Sequence, residues 1–141
     1  MTALTVHYDR AEPIPIITPA ALDDLLDRLA ADPRFQQFPV MVSLESADGS
    51  HVLEILIGRA DLSILVWHRV FEEILTSKGT VAQPDDLAYN LGGSRTTAYR
   101  NSAVPTDTAR EAARQFATTG SRPTVVDWQE PIVDEPAAGQ P

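Results

Sequence analysis

The strongest constraint on the fold is a run of three segments whose apolar residues alternate with a period of two. They are residues 39–46 (PVMVSLES), 51–58 (HVLEILIG) and 62–68 (LSILVWH). Each places every second apolar side chain on one face, as β-strands do. Asp48 and Gly49 form a hairpin turn signal between the first two segments. The sequence therefore predicts an antiparallel three-stranded meander.

Three later segments extend this sheet. Residues 70–79 (VFEEILTSKG) fit both a strand and a helical turn, and we interpret them as a strand. Residues 87–101 (LAYNLGGSRTTAYRN) have the pattern of a hairpin, because Gly92 and Gly93 supply the positive φ angles that a tight turn needs. Residues 124–128 (TVVDW) are β-branched and aromatic, and we expect them to form the last strand.

A first helix is predicted over residues 19–31, where four leucines recur at the i, i+3, i+4, i+7 spacing of one helix face. Thr18 is a suitable N-cap with Pro19 as the first helical residue. Asp32-Pro33 ends the run, because the residue before a proline is disfavoured in helical conformation.

A second helix is predicted within residues 104–120 (VPTDTAREAARQFATTG), with alanines and a phenylalanine on its inner face. Gly120 stands where a helix C-terminus takes a left-handed residue. Acidic and basic residues three apart are expected to pair along this helix, namely Asp107 with Arg110 and Glu111 with Arg114.

The order of elements is strand, helix, several antiparallel strands, helix, strand. This order predicts an α+β fold, with a mostly antiparallel sheet of about six to seven strands and two helices packed on one face. With 141 residues the chain suits a single domain, which we place at residues 1–130. Residues 131–141 are rich in proline and acidic, and we expect a disordered tail there.

Charge is the first indication of function. There are 20 acidic residues against 11 basic ones, a formal net charge of −9, which repels nucleic acid and attracts basic surfaces. Solubility alone also explains such a surface. The chain has no cysteine, no apolar run long enough to span a membrane and no secretory signal pattern in its first residues. We expect a cytoplasmic protein that is monomeric when free and binds neither membrane nor nucleic acid.

The sequence offers no constellation typical of an enzyme. His7, His51 and His68 fall in or beside three different predicted strands, without metal-ligand spacing. Adjacent carboxylates such as Asp85-Asp86 point in different directions, so they are poorly placed to share a proton or a substrate. We therefore predict no catalytic residue, no metal and no cofactor.

Seven residues are candidates for binding a partner protein. Glu54 and Glu73 interrupt apolar alternations and lie either on an exposed sheet face or in a recognition surface. The two tryptophans fit either the core edge or an interface, where buried aromatics with a polar rim dominate the binding energy. The full set is Glu54, Trp67, Glu72, Glu73, Asp127, Trp128 and Glu130.

Residues 101–130 (NSAVPTDTAREAARQFATTGSRPTVVDWQE) carry a resemblance to a known family. A helix beginning at a proline and ending in a phenylalanine, a Thr-Gly-x-Arg-Pro turn and a strand ending in a Trp-acid pattern resemble the first immunity-protein family of bacterial polymorphic toxin systems. VLEILIGRADLSILVWHR, LTSKG and AYNLGG are similar to that family's meander. The motif positions are Gly120, Arg122, Pro123 and Trp128.

The resemblance implies a cytoplasmic antidote that binds a cognate basic toxin domain, often a nucleic-acid deaminase, and blocks its active-site groove. Such a protein is not an enzyme. Two other interpretations stay open from the residues alone. One is a small α+β enzyme or ligand-binding domain with a pocket between helices and sheet, and the other is a general acidic interaction module.

Overall fold

The computed structural model describes residues 3–132, and within them the chain forms ten strands and three helices. In chain order they are β1 (Leu4–Tyr8), β2 (Ile14–Ile16), α1 (Pro19–Ala31), α2 (Pro33–Gln37), β3 (Val40–Ser46), β4 (His51–Ile57), β5 (Ser63–Arg69), β6 (Glu73–Ser77), β7 (Ala88–Leu91), β8 (Ser94–Thr97), β9 (Ala103–Val104), α3 (Thr106–Thr119) and β10 (Trp128–Gln129). The α+β class predicted from the sequence is confirmed.

The predicted meander forms the middle of the sheet. The main path of strands runs β10-β6-β5-β4-β3-β1-β2, and every neighbouring pair along it is antiparallel. Val42 lies opposite Ile55, and Gly49 takes a φ of +73° in the hairpin turn between β3 and β4. The sheet of the described chain has ten strands rather than six or seven, because β7, β8 and β9 also attach to it.

Helices α1 and α3 cover one face of the sheet, as predicted. Thr18 caps α1, its hydroxyl accepting a hydrogen bond from the Ala21 N–H at 3.1 Å. Helix α3 ends at Gly120, whose φ is +69° and whose N–H donates to the Phe116 carbonyl. Alanines on the inner face of α3 let its backbone approach the sheet closely, and Phe116 fills the space at the helix end. The layer between helices and sheet is thus filled by apolar side chains.

Charged residues join α1 to α3. Glu111 pairs with Arg114 at 3.3 Å, as predicted along α3. Arg110 was expected to pair with Asp107, but it reaches across to α1 and contacts Asp27 at 2.8 Å. Its long side chain lies between the helices, where the carboxylates of α1 are within reach.

The second face of the sheet is also covered over part of its length. Side chains that alternate with the helix-facing ones form a second apolar cluster, comprising Met41, Leu56, Leu62, Ile64, Val66, Leu87, Tyr89, Ala98 and Ala103. The hairpin of β7 and β8, turning at Gly92 and Gly93 with positive φ angles, brings part of this cover. It attaches where Val40 of β3 lies beside Asn90, so the opposite end of β4, β5 and β6 stays outside this cover.

The predicted last strand is shorter than expected. Only Trp128 and Gln129 pair with β6, opposite Ser77 and Thr76. The residues before them are held in another way, because the Thr124 N–H donates to the Gln115 side chain at 2.8 Å. The expectation of a strand over residues 124–128 was therefore wrong except at its end. Most of the predicted tail, residues 133–141, lies outside the described residues.

Candidate functional site

The end of the sheet that the second cluster leaves uncovered carries an open groove. Its volume is about 710 Å³, and it is lined by Val52, His68, Arg69, Val70, Phe71, Glu72, Glu73 and Ile74. Most of these residues belong to the β5–β6 hairpin and its connecting residues. The enzyme or ligand-binding interpretation placed a pocket between the helices and the sheet. This groove does not lie there, because none of its lining residues belongs to a helix.

The turn of this hairpin exposes apolar side chains. The Glu72 N–H donates to the Arg69 carbonyl at 2.8 Å and closes the turn. Phe71 within it has a φ of +64° and a fully exposed ring, and Val70 and Ile74 beside it are also exposed. Sequence reasoning treated Phe71 only as part of an apolar pattern. The sequence signal that could have identified Phe71 is that two apolar residues, Val70 and Phe71, stand at the turn between two strands. Gly, Asn or Asp is usual at such turns.

Three of the seven predicted residues come together beside this turn. Glu72, Glu73 and Glu130 line a second groove of about 490 Å³ with Ile74 and Tyr99 among its other walls. The pairing of β10 with β6 brings Glu130 there. Glu72 and Glu130 are exposed and Glu73 is half-buried, so three carboxylates make the walls of this groove acidic.

Two arginines flank these glutamates. The Arg69 Nε lies 2.9 Å from a Glu72 carboxylate oxygen, and Arg122 Nη1 lies 3.7 Å from Glu73. These ion pairs are largely exposed and contribute little to stability. They orient the two carboxylates at the hairpin end without removing them from solvent.

Glu54 does not lie on an exposed sheet face, so that alternative from the sequence was wrong, whereas its role in a recognition surface stays a prediction. Its side chain is only 13% exposed and accepts a hydrogen bond from the Ser43 hydroxyl at 3.1 Å. One carboxylate oxygen also lies 2.6 Å from His68 Nε2. Burial first, and then the negative charge of Glu54, raise the pKa of Tyr89 to about 12. The sequence pattern of β4 did not indicate that other residues pack over the second face of the sheet.

Trp67 is a core residue, which is one of the two roles the sequence left open. It is 3% exposed and points toward α3, where its ring meets Phe116 edge-on with centroids 5.6 Å apart. The His51 ring also stacks on Trp67, with ring centroids 5.3 Å apart. Trp67 is thus placed to support the sheet from within.

Trp128 is half-buried and packs on the main core together with Val126. Its indole N–H donates to the Pro123 carbonyl at 2.8 Å, closing the chain segment that follows α3. Asp127 and Glu130 on either side are exposed, as expected. Asp127 also accepts a backbone bond from Lys78, so this segment is fastened to the sheet while its carboxylates face solvent.

The histidines have separate hydrogen-bond partners, namely Glu45 for His7, Ser50 for His51 and Glu54 for His68. Among residues 3–132, no three His, Cys, Asp or Glu side chains are grouped so that they could hold a metal ion. No helix in the described part of the chain is long and apolar enough to cross a membrane.

Comparison with known families identifies the class of protein. The family described as Immunity protein Imm1 matches residues 10–130, a span that contains the meander, the long helices and the hairpin surface. The chain therefore belongs to the Imm1 family of immunity proteins, and the resemblance noted from residues 101–130 is confirmed. No curated protein matches the chain.

Proposed function

We propose that this chain is the cytoplasmic antidote of a bacterial polymorphic toxin system. In this proposal it binds a cognate basic toxin domain, a nucleic-acid deaminase, and covers the groove that leads to the toxin's active site. Membership of an immunity-protein family supports the role of toxin inhibitor. The chemistry of the toxin and the mode of inhibition are inferred from charge and surface.

The observation that carries the proposal is the acidic groove beside the exposed hairpin turn. Glu72, Glu73 and Glu130 line it together. A protein that holds nucleic acid presents lysine and arginine to phosphates, so its binding groove is basic. An acidic surface with an apolar centre is complementary to such a groove and competes with the nucleic acid for it.

A deaminase fits this surface for a second reason. Such an enzyme must extrude a base and admit it to a pocket with a zinc-activated water. Its active site is therefore a cavity at the floor of a basic groove. A fully exposed Phe71 with acids beside it matches such a cavity as well as its charge, whereas an acidic surface without an exposed apolar side chain would match the charge alone.

Displacement of nucleic acid tests the mode of inhibition. The probe is the toxin domain encoded in the reading frame next to this chain's gene, made as a catalytically inactive variant and loaded with a fluorescent single-stranded oligonucleotide. We expect one equivalent of this chain to release the oligonucleotide. A ternary complex would refute occlusion of the groove, and absence of both binding and rescue from growth arrest would refute the role of antidote.

Two charge-matched variants test which acids take part. One replaces Glu72, Glu73 and Glu130 with glutamine, and the control replaces the exposed Asp24, Asp85 and Asp86 with asparagine. Both remove the same charge, so their long-range effects are similar. We expect the first to slow association and flatten its salt dependence more than the control does, because steering acts most strongly near the contact. Equal rates for the two variants would place the contact elsewhere.

A further inference from the structure

Phe71 has a conformation and an exposure that folding of the chain alone does not favour. It is the third residue of the turn from Arg69 to Glu72, and its φ of +64° has the sign that a type II turn requires there. Glycine or asparagine is the usual residue at that position, because a bulky side chain is strained at positive φ. The Phe71 ring is nevertheless fully exposed and gains no packing in return.

The residues around Phe71 extend its apolar surface. Val70 precedes it in the turn, and Ile74 follows in β6 with 49% of its surface exposed. We call Val70, Phe71 and Ile74 the apolar tip. Glu72, Glu73 and Glu130 lie around it, and Arg69 and Arg122 pair with the first two of these glutamates. An aromatic side chain surrounded by charged groups is the arrangement found at the centres of protein interfaces.

We propose that the apolar tip is the anchor of this chain in its complex, with Phe71 inserted into an apolar pocket on a partner protein whose rim carries lysine or arginine. The inference rests on the proposed function, because the partner is the basic toxin domain. It adds the residue that provides most of the affinity, whereas the surrounding glutamates orient the partner and speed its approach.

The charge around the apolar tip favours this occupant over a second copy of the chain. A two-fold dimer would place the same patch on both sides of the interface. The same three glutamates, two of them already paired with Arg69 and Arg122, would then lie on both sides of the interface, between molecules that each carry a net charge of −9. A basic partner meets the same groups with opposite charge.

The test replaces Phe71 with glycine and, separately, with asparagine. Both residues tolerate positive φ, so each variant should melt at the wild-type temperature or above it. Affinity for the inactive toxin domain from the adjacent reading frame should fall by at least about 30-fold, as expected for an aromatic hot spot. The control is Ile17→Ser, since Ile17 is 72% exposed and follows β2 at the other edge of the sheet. It should leave affinity unchanged.

The outcomes separate this inference from the proposed function. If the wild-type chain binds the toxin domain and the Phe71 variants bind equally well, the anchor is refuted and the antidote role stands. A lowered melting temperature in both variants would make Phe71 a structural residue and also overturn the inference. A wild-type dimer in sedimentation velocity that dissociates in Phe71→Gly would identify a second copy as the occupant. If the wild-type chain does not bind, both proposals fail.

Discussion

Trp128 offers a quantitative test of how the end of the described chain is fastened. The ring is half-buried against the main core, and its indole N–H donates to the Pro123 carbonyl at 2.8 Å. Replacing a fully buried tryptophan with alanine costs about 3 to 5 kcal/mol. For a half-buried ring we expect roughly half of that, about 2 kcal/mol. Loss of the hydrogen bond adds about 1 kcal/mol.

Trp128→Ala should therefore lower the free energy of unfolding by about 3 kcal/mol, and the melting temperature by roughly 10 °C for a domain of this size. Trp128→Phe keeps most of the apolar contact and loses the hydrogen bond, so it should cost about 1 kcal/mol. The difference between the two variants separates the packing of the ring from the bond to Pro123.

Urea unfolding followed by circular dichroism measures both variants, with Glu130→Ala as the control. Glu130 is exposed, so its replacement should leave stability within about 0.5 kcal/mol. The reasoning is refuted if Trp128→Ala unfolds at the wild-type midpoint, or if the two tryptophan variants are equally destabilised. A wild-type midpoint for Trp128→Ala would mean that Trp128 does not stabilise the fold and could act only in binding.

Three further predictions concern turns, pH and the C-terminal residues. Gly58→Ala should lower the free energy of unfolding by about 3 kcal/mol or more, because the φ of Gly58 is +125° and a Cβ would collide with the α2 backbone. Gly49→Ala should lower it by only about 1 kcal/mol, because a Cβ there would stand in open space. Thermal unfolding of the two variants compares these costs. The Asp48 carboxylate accepts hydrogen bonds from the Ser50 hydroxyl, the Ser50 N–H and the Ser46 hydroxyl. These bonds lower the pKa of Asp48 from 3.8 to about 2. The ionised Asp48 carboxylate therefore contributes its full stabilisation above pH 3.8, and this contribution is lost as the pH falls through about 2. In urea titrations, the difference in free energy of unfolding between the wild type and Asp48→Asn should shrink over that range. Deleting residues 133–141 should leave the melting temperature unchanged, and a clear drop would show that they pack on the domain.

The features that were predicted correctly from the sequence are those that depend only on residues close to one another along the chain. The N-cap at Thr18 and the left-handed end of α3 at Gly120 are both as expected, because capping is decided within one helical turn. The β3–β4 hairpin is also confirmed, since the turn at Asp48-Gly49 sets its register.

The features that were missed depend on contacts between distant residues. Glu54 has the sequence environment of an exposed strand residue, but it is bonded to Ser43 and His68 on the neighbouring strands and lies close enough to Tyr89 for its charge to raise the pKa of that residue. The segment before Trp128 has strand propensity, but Thr124 within it bonds to Gln115 of α3 and only Trp128 and Gln129 pair with β6. The grouping of Glu130 with Glu72 and Glu73 likewise depends on β10 returning to β6, which no local pattern indicates.

Hydrogen exchange on the complex with the inactive toxin domain tests the central claim most directly. The account predicts that binding slows exchange in the turn between β5 and β6, from Arg69 to Ile74, and in β10 and the residues after it. Exchange on the outer surfaces of α1 and α3 should stay as it is in the free chain. Protection confined to those helices, with the hairpin turn exchanging as before, would contradict the assignment of the binding surface.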